Sequence, residues 1–421
     1  MATTSREFDI IVWGATGFVG RLVADHLTRE YTDSELNVAL GGRDEVALDR
    51  LADRLSTQQD DWDELPTVLG DATDEQSLQK LAERTEVVAT TVGPYTDYGT
   101  PLVEACIDAG TDYCDLTGEI TWIREMIDRY HERAVEAEAR IVHSCGFDSI
   151  PADLGTKLVQ SYAIEEYDSP CNLVRIYLED GNGGVSGGTL ASAVAMFEAA
   201  ETDPLARETL KNPYSLAPSG ERSGVDGGEQ RGPQRDPLRS VWTAPSPIAA
   251  VNERVIRRSN ALLGYRWGRE FRCREVVPTN PGIGGALAAG GIAAGLAIGT
   301  AAMSVGSLRA GLQRYIFPDP GDGPSQEDIE NGHFTIRVIG RGTTAAGPFS
   351  IECEISAEQD PGYGATAKML GESAMRLLRD DTAESLSGGI LTPASGIGDP
   401  LAERLRGVGL TIEVGECTAI N

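Results

Sequence analysis

An apolar run, Ile10-Ile11-Val12-Trp13, leads without a break into Gly14-Ala15-Thr16-Gly17-Phe18-Val19-Gly20, and a helical pattern continues over 16–30. Few chains carry glycines at this G-x-x-G-x-x-G spacing between a strand and a helix without binding an anion there. Gly14 and Gly17 permit a tight turn that lets backbone N–H groups approach a pyrophosphate, while Gly20 lets the helix lie close to the sheet. The positive end of the helix dipole then faces the phosphates. A purely structural glycine turn is the bland reading. Placement directly after an apolar strand near the N-terminus favours a dinucleotide held by Gly14, Ala15, Thr16, Gly17, Phe18, Val19 and Gly20.

The surrounding pattern agrees. Strand-like runs at 36–40, 67–69, 87–92, 113–116 and 140–143 alternate with helical stretches at 45–55, 75–84, 101–109 and 121–139. This is the signature of βαβ units in a Rossmann-type doubly wound parallel sheet. Beyond Pro151 the character changes. A strand is expected at 172–179, a helix at 189–200, two antiparallel strands at 333–340 and 347–356, and an amphipathic helix at 366–379. The expected fold is therefore α/β, with a second α+β domain carrying an antiparallel sheet. Residues 1–150 form the nucleotide-binding domain, 151–385 a substrate and dimerisation domain, and 386–421 a return to the first domain. The Gly-, Pro-, Ser- and Arg-rich stretch 217–247 reads as a lid, a binding loop or a disordered insertion.

The end of the second strand discriminates between cofactors. NAD sites usually place an Asp or Glu there for the ribose 2′-OH, whereas this chain reads Gly41-Gly42-Arg43, offering a guanidinium to a 2′-phosphate. NADP is favoured, and Asp44 keeps NAD open. Asp71, at the end of the third strand, either touches the nucleotide or caps the helix that follows. Val92, Gly93 and Pro94 shape the loop after the fourth strand, where the nicotinamide arm should pass.

Composition excludes other classes. With 36 Lys and Arg against 65 Asp and Glu, the formal net charge is −29, so phosphate neutralisation of a nucleic acid has little to draw on. Only Lys80, Lys157, Lys211 and Lys368 are lysines. That balance suits a cytoplasm of molar salt, where screening lets surface carboxylates crowd. Seven cysteines with no C-x-x-C pair imply neither a disulfide framework nor a zinc site, and no metal is expected. Residues 1–8 hold no apolar run, so no secretory leader is expected.

Two further blocks follow strands at the sheet's carboxyl edge: Tyr113-Cys114-Asp115-Leu116-Thr117-Gly118-Glu119 and Ser144-Cys145-Gly146-Phe147-Asp148-Ser149-Ile150-Pro151. Together with the glycine loop, Gly42-Arg43 and Val92-Gly93-Pro94-Tyr95, they resemble the saccharopine dehydrogenase-like oxidoreductases, and within them the trans-acting enoyl reductase group. Stretches 315–325, 361–366 and 388–394 look like that family's later blocks, so the resemblance covers most of the chain. It implies an NAD(P)-dependent enzyme. Members are assigned either to enoyl or keto reduction in lipid synthesis or to amine chemistry on saccharopine. A dicarboxylate amino acid would need cationic anchors, while this edge offers Asp115, Glu119 and Asp148. Tyr95, Asp115, Cys145 and Asp148 are the candidate catalytic residues, and Tyr98 and His143 are further proton donors by position. No Tyr-x-x-x-Lys pair is present in the first half. A non-catalytic nucleotide-binding scaffold is the alternative from another class.

Residues 282–308 carry no charge, are built largely of Gly and Ala, and repeat Gly291, Gly295 and Gly299 every four residues. This spacing permits close helix contact. A buried or interface helix pair, a membrane-surface anchor and a span are all compatible with it. The expected partners are thus a small apolar or lipid-like substrate, the inner face of the plasma membrane through 282–308, and a second copy in a homodimer, within a cytoplasmic protein.

Overall fold

The computed structural model describes residues 6–59, 61–182, 187–315, 324–379 and 386–417; part of the 315–325 block lies outside them. The first third of the chain lays down β1 (Phe8–Trp13), β2 (Val38–Gly42), β3 (Thr67–Leu69), β4 (Thr85–Thr90), β5 (Asp112–Cys114) and β6 (Arg140–Val142), each separated by a helix. A second sheet follows from β7 (Leu173–Asn182), β8 (Gln234–Arg235), β9 (Trp242–Pro245), β10 (Arg272–Pro278), β11 (His333–Thr344) and β12 (Gly347–Ala357). The chain then returns to the first sheet as β13 (Gly389–Leu391) and ends in the second as β14 (Thr411–Glu416).

The first sheet is parallel throughout, in the order β13-β6-β5-β4-β1-β2-β3. The order in which strands are added reverses between β1 and β4, the switch point at which open α/β sheets bind ligands. β1 and β2 are apolar on both faces because helices cover both, as burial of Ile10, Ile11, Val12, Val38, Ala39 and Leu40 shows. The second sheet, ordered β14-β12-β11-β7-β10-β9-β8, is antiparallel except for the parallel β7–β10 pair. Its longest pairing is the β11–β12 hairpin, and β7 is its central strand.

Three expectations need correction. The helix Thr366–Leu378, assigned by sequence to the second domain, lies on the first sheet against β1, β4, β5 and the helix Phe18–Glu30. It is tied there by buried Glu372, which accepts from Tyr31 Oη (2.8 Å) and Arg404 Nε (2.9 Å) and bonds His26 Nε2 (2.9 Å). The C-terminal stretch does not simply return to the first domain: β13 does, but β14 pairs with β12 in the second sheet. Of the readings of 217–247, only disorder is corrected: the stretch carries β8 and β9 of the second sheet. Arg254, Arg257 and Arg258 on the helix Ala249–Leu262 reach under the preceding stretch and bond the carbonyls of Leu210 (2.8 Å), Pro213 (3.0 Å) and Leu216 (2.6 Å), while Arg257 pairs with Asp226 (2.9 Å). Planar guanidinium groups suit this role because each offers several donors in a fixed fork.

The apolar helix Gly282–Met303 rests on β9 through Gly285, Ala289 and Ala293. The stripe Gly291, Gly295 and Gly299 faces open space rather than a partner within the protein. Ile283, Leu287 and Ile298 are 82%, 73% and 71% exposed. Among the described residues no second helix packs on this stripe, so the buried form of the helix pair is corrected, and by length and composition this helix could cross a membrane.

Candidate functional site

The glycine loop joins β1 to the helix Phe18–Glu30 at the switch point. Gly14 has φ +87°, a left-handed conformation that a side chain rarely adopts, and a Cβ there would meet Val92 Cγ2 at 2.7 Å and Thr91 Oγ1 at 2.9 Å. Gly20 packs so tightly that its Cβ would stand 2.1 Å from the Gly14 carbonyl oxygen. Gly17 is the helix N-cap and supplies no side-chain acceptor. The first-turn amides are therefore left to bond something else, which is the electrostatic requirement for an anion cradle. Thr91 Oγ1 donates to the Gly14 carbonyl (3.3 Å), locking the β4 loop with Val92, Gly93 and Pro94 against the glycine loop.

Arg43 is exposed at the carboxyl end of β2. The neighbouring Asp44 is occupied: it is the N-cap of the helix Glu45–Gln58 and accepts from Ala47 N at 3.0 Å. Asp71 does not cap the next helix, whose N-cap is Asp74. Its carboxylate accepts from Thr73 N and Thr73 Oγ1, both at 2.8 Å, and these bonds together with nearby Arg43 hold its pKa below the usual range. An exposed guanidinium and a preorganised carboxylate thus flank the adenosine end. These features fit an NADP-type dinucleotide.

At the nicotinamide end the structure separates the candidate catalytic residues. Tyr95 points into the core: its hydroxyl donates to Thr90 O (3.2 Å), accepts from Leu116 N (3.1 Å), and its ring stacks on Trp122 at 5.5 Å. Burial raises its pKa far above the ordinary tyrosine value. Cys145 is 0% exposed, and burial pushes its thiol well up, so Cys145 is corrected from a candidate catalytic residue to a packed core residue. Asp115 is also 0% exposed. Its Oδ2 accepts from Tyr113 Oη (2.9 Å) and bonds His143 Nδ1 (2.7 Å), while Oδ1 accepts from Thr117 N and Ser144 N, both at 3.0 Å. It holds two loops in register and has no capacity left for a substrate. His143 Nε2 is buried without a hydrogen-bond partner. Tyr98 is 38% exposed on the helix Tyr95–Ala109.

Asp148 is different. It lies in the loop after β6, half-buried, and among the described residues no hydrogen bond engages its carboxyl. Removal from water raises its pKa to about 6. Beside it, Phe147 meets Phe334 of β11 edge to face at 4.8 Å, and Phe147 N donates to Thr366 Oγ1 (3.1 Å), so this loop sits where the two sheets come together.

Two groups at this edge escape a linear reading. Glu119 accepts from Tyr95 N (2.9 Å) and Thr96 N (2.8 Å), capping a helix 24 residues earlier in the chain. Glu275, on β10, is buried with Ser246 Oγ and Asn252 Nδ2 each at 2.5 Å, and Asn252 in turn accepts from Ser149 Oγ at 2.8 Å. No sequence signal links residues 149, 252 and 275; the contact is made only by the second sheet.

Comparison with known proteins places this geometry. Residues 10–142 match the saccharopine dehydrogenase NADP-binding domain. A Mycobacterium tuberculosis protein assigned to the trans-acting enoyl reductases is 39% identical over 98% of this chain and 99% of its own length. The trans-acting enoyl reductase of Mycobacterium ulcerans is 37% identical with the same coverage. Among solved structures, the saccharopine dehydrogenase (L-Glu forming) of Saccharomyces cerevisiae shares the fold across 98% of this chain and 100% of its own, with a TM-score of 0.51 at 15% identity. The chain is an NADP-binding oxidoreductase and belongs to the saccharopine dehydrogenase-like family, in its trans-acting enoyl reductase group.

Proposed function

We propose that the enzyme reduces a C=C or C=O bond conjugated or attached to an apolar, lipid-like chain, using NADPH. The observation that carries this reading is the charge of the nicotinamide-end loops: residues 91–94, 115–119 and 143–149 contain no Lys or Arg to anchor a dicarboxylate amino acid. Burying two substrate carboxylates without cationic partners would cost several kcal/mol each. An uncharged acyl or isoprenoid chain has no such requirement. Bound NADPH supplies the hydride. The chain's part is to orient the cofactor through its glycine loop, to keep the Tyr95–Trp122 and Phe147–Phe334 surroundings dry, and to provide a proton. The experiment is NADPH oxidation with three probes: the decenoyl thioester of N-acetylcysteamine, the isoprenoid enal citral, and saccharopine. Turnover of saccharopine alone would favour the amine-dehydrogenase reading.

Arg43 is the proposed reader of the 2′-phosphate. Arg43→Ala is expected to weaken NADPH by about ten- to a hundredfold, the worth of a charge-assisted bond of about 1.5–3 kcal/mol, and to leave NADH unchanged. Fluorescence titration with both cofactors reads this; an equal loss for both would remove Arg43 from that role.

The exposed helix Gly282–Met303 supports contact with a membrane, where an apolar substrate resides. Exposed apolar residues without a partner mark interaction surfaces. Sedimentation with phosphatidylcholine vesicles is expected to pull down the protein, and the triple variant Ile283→Glu, Leu287→Glu, Ile298→Glu is expected to stay in the supernatant. Sedimentation of both alike would end the proposal.

A further inference from the structure

Reduction of a polarised double bond needs a proton as well as a hydride, and the group supplying it must be exposed to the substrate. At the nicotinamide end, Tyr95, Asp115 and Cys145 are each buried at 5% exposure or less, and the first two have their polar atoms committed to hydrogen bonds. Of the four, Asp148 alone is not fully buried, it follows Phe147 at the junction of the sheets, and among the described residues no hydrogen bond engages its carboxyl.

Behind Asp148 lies a second carboxyl. Glu275 is 2% exposed and is fixed by Ser246 and Asn252. Asn252 also holds Ser149, the residue after Asp148, so the two acids sit on one hydrogen-bonded frame. Among the described residues no cation pairs with the Glu275 carboxyl. The Glu275 backbone N donates to Glu253 Oε1 (3.1 Å) on the helix Ala249–Leu262, and Glu253 is itself paired with Arg257 at 2.9 Å, with Arg274 Nε 3.9 Å from the same Oε1. Burial first, and then the charges of Glu253 and Asp148, raise the Glu275 pKa to about 7. Two neighbouring carboxyls in such a setting titrate as a pair and retain one proton between their two steps.

We propose that Asp148 is the catalytic residue that donates the proton in the reduction, and that Glu275 is the positioning residue that keeps a proton on the pair; this rests on the reductase reading above. In the step, one carbon of the double bond accepts hydride from bound NADPH and the other carbon, or the carbonyl oxygen, forms a bond to the Asp148 proton. The products are the saturated chain or the alcohol, NADP⁺ and an Asp148 carboxylate, which regains a proton from water.

Two readouts test it. Infrared difference spectra across a pH titration of the NADPH-free protein should show a protonated-carboxyl band lost in two steps between about pH 6 and pH 7. Buried Asp153 also titrates near 6, so Asp148→Asn should reduce the lower step rather than abolish it, and should bring the Glu275 step down, while Glu275→Gln should remove the upper one. In turnover of the probe that the wild type reduces best, Asp148→Asn should cut the NADPH oxidation rate by about a hundred- to ten-thousandfold while NADPH affinity is retained. A donor works in its protonated form, so the wild-type rate should fall in two stages as pH rises through about 6 and then about 7, where the pair loses its last proton, and in Glu275→Gln in a single stage at about 6. An unaltered rate and pH profile in Asp148→Asn overturns the proposal and leaves the reductase reading standing. A wild type that binds NADPH but oxidises it with none of the probes overturns both.

Discussion

Gly20→Ala is expected to lower NADPH affinity by at least about a hundredfold, equivalent to about 2.7 kcal/mol. The reason is local and backbone-bound. A methyl at this position would stand 2.1 Å from the Gly14 carbonyl oxygen and 2.9 Å from Ala15 Cα, and neither atom can swing aside as a side chain would. The helix Phe18–Glu30 must instead back away from β1, carrying its first-turn amides with it. Overpacking of this kind costs about 1–3 kcal/mol of stability as well. Gly407→Ala, where nothing lies within 4 Å of the new Cβ, is the matched control and should bind NADPH like the wild type. Equal affinity in both variants would show that the glycine loop is not the phosphate cradle.

The second large effect concerns Asp115. Asp115→Ala is expected to destabilise the protein by about 3–5 kcal/mol, because the Tyr113 hydroxyl, the His143 imidazole and the amides of Thr117 and Ser144 all lose their acceptor in a site without water access. Asp115→Asn should cost less, since its carbonyl can still serve the two amides. Chemical denaturation midpoints measure both. A fully stable Asp115→Ala variant without turnover would assign the carboxylate to chemistry and contradict its role as the pin between two loops.

These effects also show how far a linear chain can be read. The alternation of β-branched runs with helices along 10–143 depends on neighbours within one or two turns, and the first six strands appear where that pattern puts them. The helix Ile150–Tyr167 did not show, because it is buried nearly all round and so lacks the polar face that betrays a surface helix. The helix after β4 begins at Tyr95 and carries Pro101 inside it, six residues earlier than Pro101 as a start would give. Its cap is Glu119, a long-range partner that no local rule supplies. β9, β10, β13 and β14 were equally hidden, being short or made sensible only by the strands beside them.

The cofactor half of the site was legible for the same reason as the strands: glycine spacing and strand-end residues are local. The catalytic half was not. Sequence order places Tyr95, Asp115, Cys145 and Asp148 at one sheet edge but is silent on which way each side chain turns, and three of the four turn inward. Glu275 enters the site from the second sheet, 127 residues beyond Asp148. A Gly-rich segment likewise signalled close contact at 282–308, yet the packed stripe is Gly285, Ala289 and Ala293, and the more regular Gly291, Gly295 and Gly299 lie open.

The most direct test of the central claim is NADPH oxidation by the purified enzyme in molar KCl, with decenoyl-N-acetylcysteamine or citral set against saccharopine. The account predicts NADPH consumption with at least one of the apolar unsaturated probes, formation of its reduced product, and none with saccharopine. NADPH binding with turnover of saccharopine alone would contradict it.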